Sequence, residues 1–135
     1  DSITVSKRPL KAFTFDATNS PDLFPALAAL AAAAEGVSTI IGTSRLSHKE
    51  SDRAETLRQE YEKLGIEIDI SQEDVMTIRG GKIKPATVFS HGDHRIAMSL
   101  AVSALRCDGE VVIEQAECVE KSYPTFFEDL ESIIE

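Results

Sequence analysis

A chain of 135 residues, 42% hydrophobic and 27% charged, has the length and balance of one folded domain with its own core, which excludes a disordered segment. Its 23 acidic residues outweigh 14 basic ones for a net charge of −9, so neither duplex nucleic acid nor an anionic membrane is the expected partner. No apolar run reaches transmembrane length, since "LFPALAALAAAAEG" is broken by Pro25 and ended by Glu35 and Gly36.

"SITVSKRP" and "KAFTFDA" alternate and predict two short strands, with Phe13 and Phe15 facing one way. A chain opening on Asp1 with a strand-like stretch almost at once reads as a piece of a longer protein. "SPDLFPALAALAAAAEG" predicts a helix with Ser20 as N-cap, Pro21 at the first helical position and Gly36 as its stop. Apolar on every side, that helix is expected to be buried. "VSTIIG" predicts a strand. "RLSHKESDRAETLRQEYEKLG", residues 45–65, begins as a cluster of charge and continues as a helix with Ala54, Leu57, Tyr61 and Leu64 on one stripe, closed by Gly65. Lys49 and Arg53 then fall at the helix start, where the macrodipole disfavours cations unless an anion sits there too. Ser47-x-x-Glu50 also fits a capping box. "IEIDI" alternates through Ile66, Ile68 and Ile70, and "VMTIRGG" answers it as a hairpin partner, with Gly80 and Gly81 as turn residues and Arg79 and Lys82 solvated.

Much of this pattern recurs. "ATVFSHGD" leads into the apolar helix "HRIAMSLAVSALRCDG", capped by Asp93, and then into the strand "EVVIEQA". A charged turn, "ECVEKS", precedes "YPTFFEDLESIIE", whose Phe126, Phe127, Leu130, Ile133 and Ile134 share an apolar side. The expected architecture is a single α+β domain spanning 1–135 and built as an α/β repeat. Its β-α-β-α-β-β unit runs over about 11–84, with a truncated copy over 85–135. Cys107 and Cys118, without CxxC spacing or a His cluster, read as small buried thiols, and His48 and His91 as surface residues.

Asp22, the Lys49–Glu50–Arg53 group, His94–Arg95 and Lys121 all sit at predicted helix starts. Stacked repeats would bring those ends to one edge, where basic residues and helix dipoles together suit an anion. Arginine forks grip carboxylate or phosphate, lysine acts as a point charge or base, and a carboxylate among them can move protons. No nucleophile arrangement, metal triad or dinucleotide fingerprint accompanies them, so the residues suit a reaction that joins positioned anions and moves protons. Bland readings stay open residue by residue. Glu50 can be a cap, Arg53 can pair with Glu50 or Glu60 on a solvated face, and Lys121 can be a solvated turn lysine.

"PDLFPALAALAA", "RLSHKESDRAETL", "DHRIAMSLAVSAL" and "KSYPTFFEDL" resemble, in that order, the C-terminal part of the 5-enolpyruvylshikimate-3-phosphate synthase (3-phosphoshikimate 1-carboxyvinyltransferase) family. The resemblance covers nearly all of this chain but only the last part of the family's length. It implies a two-lobed protein, each lobe stacking three β-α-β-α-β-β units, with this chain supplying close to two units of one lobe and the missing N-terminal part supplying the rest. It implies transfer of the enolpyruvyl group of phosphoenolpyruvate to the 5-hydroxyl of shikimate 3-phosphate, with release of phosphate, through a tetrahedral intermediate and without a metal or cofactor. By the resemblance, Asp22 holds the 5-hydroxyl and is placed to take its proton. Glu50 moves the proton at the phosphoenolpyruvate methylene, and Lys49 lies beside that chemistry. Arg53, Arg95 and Lys121 clamp phosphoenolpyruvate, with Lys121 also a proton donor or acceptor; His94 and Arg45 are further candidates. The full-length protein is expected to be a cytoplasmic monomer, and this chain alone to be inactive, because other parts of the family's site lie outside it. Two rivals remain at this stage: the related UDP-N-acetylglucosamine enolpyruvyl transferase, and a non-catalytic module of the same fold that binds an anion or a partner.

Overall fold

The computed structural model describes residues 1–134, and its main sheet follows from apolar alternation. β1 (Thr14–Asp16), β2 (Val37–Ile41), β3 (Glu67–Asp69) and β4 (Val75–Arg79) form a sheet in the order β1-β2-β4-β3. β1 runs parallel to β2, while β4 runs antiparallel to both β2 and β3. Ile40 lies opposite Met76, and Ile68 opposite Ile78, so all four side chains share the buried face. A second, two-stranded parallel sheet pairs β5 (Ala86–Phe89) with β6 (Val111–Glu114).

Three helices cover these sheets: α1 (Phe24–Ala33), α2 (Arg53–Lys63) and α3 (His94–Ala104). Leu57, Tyr61 and Leu64 on the α2 stripe are fully buried and join Phe24, Ala28 and Ala31 of α1 and Ile96 and Leu100 of α3 in one core. The fold is α+β, with element order β-α-β-α-β-β followed by β-α-β and a final short helix, α4 (Phe126–Ser132). Two glycines permit close backbone approach. A Cβ on Gly80 would stand 1.6 Å from the Ala34 carbonyl oxygen, and Gly42, at φ +116°, turns the chain out of β2 against Thr18.

Several expectations are corrected. Residues 1–10 form no strand, and Ile3 and Val5 are 93% and 89% exposed. The polar "SKR" has nothing to bury, and Pro9 has no N–H to give a ladder. The first helix opens as a 3₁₀ turn, Pro21–Leu23, without a side-chain cap from Ser20, and its α-helical part ends at Ala33 rather than running to Gly36. It is buried on one side only, since Ala26 is exposed and Leu30 is 44% exposed. Helix α2 begins at Arg53, so Lys49 and Glu50 lie in the loop before it. Asp52 is the N-cap residue, and the Ser47–Glu50 capping box does not form, because the helix begins at Arg53 and Ser47 is not its cap. The apolar side of α4 is half covered at best, with Ile133 77% exposed. Both cysteines are free but only partly buried, and His91 is drawn inward against Glu60 rather than left at the surface.

Candidate active site

Arg53 opens α2 with a side chain only 1% exposed, a position that a guanidinium accepts only when its donors are met. Carboxylates from three separate segments meet them. Nε donates to Asp93 Oδ2 at 2.8 Å, and one terminal nitrogen donates to Asp22 Oδ1 at 2.8 Å. The other donates to Glu50 Oε2 at 2.6 Å and to Asp93 Oδ1 at 3.2 Å. Four of the five guanidinium N–H groups are thereby committed inside the protein.

Asp93 is the deepest of the three, fully buried between the ends of two helices. It caps α3 by accepting from the Arg95 backbone N–H at 3.1 Å, and it also accepts from the Ser51 hydroxyl at 2.9 Å. Asp22, on the 3₁₀ turn before α1, draws Lys49 Nζ to 3.5 Å and Arg95 to 3.9 Å. Glu50 presents its second oxygen 3.5 Å from His94 Nε2, and the other ring nitrogen of His94 meets the Ser122 hydroxyl. Lys121 approaches the same loop by donating to the Gly92 carbonyl at 2.6 Å.

Burial acts to raise the Asp22 carboxyl, but its bond to Arg53 and the charges of Arg95 and Lys49 hold it below the usual carboxylate range. Glu50 is also lowered, first by a hydrogen bond from its own backbone and then, against burial, by the Arg53 charge. Asp93 shows the same balance: burial pushes it up, and the hydrogen bonds from Arg53 and Ser51 bring it below its ordinary value. Arg53 is correspondingly raised, its desolvation more than offset by Asp93 and Glu50. All three carboxylates are therefore ionised at neutral pH.

The structure brings together Asp22, Lys49, Glu50, Arg53, His94 and Arg95, with Lys121 at the margin through Gly92. Arg45 stands apart, its guanidinium donating to the Thr18 carbonyl at 2.6 Å. Asp93, Ser51 and Ser122 are contributors that the sequence reading left out. The signal for Asp93 was an acidic cap followed directly by two basic residues, but a cap alone explained it. Donor atoms of Glu50, Asp93 and His94 lie within 4.8 Å of one another, close enough to suggest a cation site. The Arg53 guanidinium is already bonded to both carboxylates there, supplying the positive charge a metal would bring. With four of the Arg53 donors committed, the basic side chains most open to an anion are Lys49 and Arg95, 28% and 41% exposed, and the exposed Lys121. Beside them a groove of about 240 Å³ runs between α1 and α3, lined by Asp22, Pro25, Ala29, Arg95, Met98 and Val102.

The α+β fold around this site is that of solved enolpyruvyl transferases. The enolpyruvyl transferase NikO from Streptomyces tendae superposes with a TM-score of 0.71 at 25% identity, over 95% of this chain and 29% of that one. A solved structure of EPSP synthase from Acinetobacter baumannii superposes with a TM-score of 0.74 at 38% identity, over 81% of this chain and 26% of that one. The chain belongs to the EPSP synthase (3-phosphoshikimate 1-carboxyvinyltransferase) family, whose sequence model matches residues 1–130. The 3-phosphoshikimate 1-carboxyvinyltransferase of Methanocella arvoryzae is 43% identical over 129 residues, covering 96% of this chain and 30% of the relative. That of Clostridium acetobutylicum is 43% identical over 133 residues, covering 98% and 31%. The chain thus spans about 30% of the length of the curated relatives it matches.

Proposed function

We propose that this chain supplies part of the active site of a longer 3-phosphoshikimate 1-carboxyvinyltransferase, as its C-terminal portion. That enzyme transfers the enolpyruvyl group of phosphoenolpyruvate to the 5-hydroxyl of shikimate 3-phosphate and releases phosphate. The supporting observation is the convergence on Asp22 of Lys49 at 3.5 Å and Arg53 at 2.8 Å from one segment and Arg95 at 3.9 Å from another.

The ionised Asp22 accepts the 5-hydroxyl proton as that oxygen attacks C2 of phosphoenolpyruvate. A proton is delivered to C3 by Glu50, giving a tetrahedral adduct. Elimination then breaks the C2–O bond to phosphate, returns the C3 proton and restores the double bond. Glu50 is ionised in the free chain, so it must first take up a proton. A bound anion beside it favours that uptake by like-charge repulsion. Lys49, Arg95 and Lys121 hold the phosphate and carboxylate of phosphoenolpyruvate, while Arg53 fixes the carboxylates that surround it. His94 serves Glu50, and Arg45, bonded to the β1–α1 loop, stays outside the chemistry. The two repeat-like segments, about 11–84 and 85–135, act as neighbouring units of one lobe. The whole enzyme works as a cytoplasmic monomer without a metal or cofactor. No helix among the described residues is long and apolar enough to cross a membrane.

The test is phosphate release by the longer protein that carries these residues. Release should require both substrates and fall by about a hundredfold or more in Asp22→Ala and Glu50→Ala. Release with UDP-N-acetylglucosamine in place of shikimate 3-phosphate would overturn the assignment, as would variants of undiminished rate. The isolated 135 residues should form no product.

A further inference from the structure

We propose that Ser122 is a positioning residue, whose hydroxyl donates to His94 Nδ1 and holds the ring in the tautomer that turns an Nε2–H toward Glu50. His94 is the first residue of α3 and only 8% exposed, so both of its nitrogens need partners, and a protein group stands at each. Nδ1 meets the Ser122 hydroxyl, and Nε2 lies 3.5 Å from Glu50 Oε1.

The direction of these contacts follows from Glu50. Its other oxygen takes a 2.6 Å bond from Arg53, and an ionised carboxylate can only accept. The ring nitrogen that faces it must therefore carry the proton, because a bare lone pair pointed at a carboxylate is repelled. In the neutral ring that choice leaves Nδ1 unprotonated, in need of a donor. A serine hydroxyl is the one group at Nδ1 that can donate there and still accept if the ring takes a second proton.

Ser122 is itself held in place. Its backbone N–H donates to Val119 at 3.1 Å, within the 3₁₀ segment Ala116–Lys121 and its cap. The preceding side chain, Lys121, is tied to the Gly92 carbonyl at 2.6 Å. Two consecutive residues thus dock this segment on the loop that opens α3, one anchoring backbone and the other setting a tautomer. The consequence for turnover rests on the enolpyruvyl-transfer reading given above. There, an Nε2–H aimed at Glu50 steadies its carboxylate each time it has given up a proton. Without Ser122 the ring is free to present its lone pair instead.

The experiment is nitrogen-15 NMR of the imidazoles in this chain, at a pH where the rings are neutral, with His94→Gln identifying the His94 signals. The expected spectrum has an unprotonated Nδ1 and a protonated Nε2. In Ser122→Ala it should become a mixture or the reverse tautomer, and Ser122→Thr, which keeps the hydroxyl, should restore it. A wild-type ring protonated on Nδ1 overturns the proposal, as does a Ser122→Ala spectrum like the wild type. In the longer enzyme Ser122→Ala should lower kcat severalfold and leave KM for phosphoenolpyruvate unchanged. An unaltered enzyme with no turnover would fault the functional reading, while the tautomer spectrum decides the role of Ser122 by itself.

Discussion

Arg53 and Asp93 show how one buried ion pair organises the surroundings of a site. Asp93→Asn is an informative change because asparagine also caps helices, so the start of α3 survives while the charge facing Arg53 is lost. Breaking a buried pair costs about 3–5 kcal/mol, and the low end applies here because Asp22 and Glu50 still contact the guanidinium. Urea unfolding of the variant should show a loss near that value. The pH dependence has a definite sign. Asp93 is lowered from its ordinary 3.8 in the folded chain. Its contribution is therefore complete above that value and is lost as pH falls through the lower folded value. Thermal midpoints measured between about pH 5 and pH 2 should fall less steeply in Asp93→Asn than in the wild type. The positions of Asp22, Lys49, Glu50, Arg53 and Arg95 were legible in the sequence as charges at helix starts. The burial of Arg53 was not, because it depends on carboxylates that are 31 and 40 residues away in the chain.

Between elements, a few hydroxyls set how the helices sit together. The Tyr61 hydroxyl on α2 lies 2.7 Å from Ser99 Oγ and 2.8 Å from Ser103 Oγ on α3, and Ser99 donates to the Pro25 carbonyl on α1 at 2.7 Å. Burial pushes the Tyr61 phenol up to about 12, against its bonds to both serines, so it stays protonated through the physiological range. Tyr61→Phe keeps the ring in the core but removes a shared partner of two buried hydroxyls. The expected cost is about 1–3 kcal/mol, read from the urea midpoint. Adding Ser103→Ala should recover part of that loss; if the two changes simply add, the hydroxyl network is not coupled. The stripe Ala54, Leu57, Tyr61 and Leu64 was visible in the sequence as helical spacing, and so was the hairpin of β3 and β4. Serines facing inward on α3 were hidden inside a run read only as apolar. The limits of α1 were hidden too, because they depend on tertiary partners, while the missing first strand was signalled locally by the polar residues 6–8 and Pro9 and was outweighed by the alternation before them. His91 looked like a surface residue because nothing nearby in sequence announces Glu60, a buried carboxylate 2.9 Å from its ring.

Across the whole molecule, the net charge of −9 opposes binding of any anion, and the helix-start edge must overcome it locally. Arg53 offers little toward this, since four of its five donors are bonded to three carboxylates. The attraction falls to Lys49, Arg95 and Lys121, which remain within reach of solvent. Those three cations are partly offset by Asp22 and Glu50 beside them, so phosphoenolpyruvate should bind the isolated chain only weakly, with Kd of about a millimolar. The binding should weaken further as salt is added, because exposed charges are screened over about 10 Å at 0.1 M ionic strength. An amide-resolved NMR titration measures this directly. Shifts should gather at residues 22, 49–53, 94–95 and 121–122, and Arg95→Ala should remove most of the response without altering the fold. Shifts confined to the apolar groove residues Pro25, Ala29, Met98 and Val102, or a response indifferent to salt, would show that Lys49, Arg95 and Lys121 serve their own protein partners and leave nothing for a ligand.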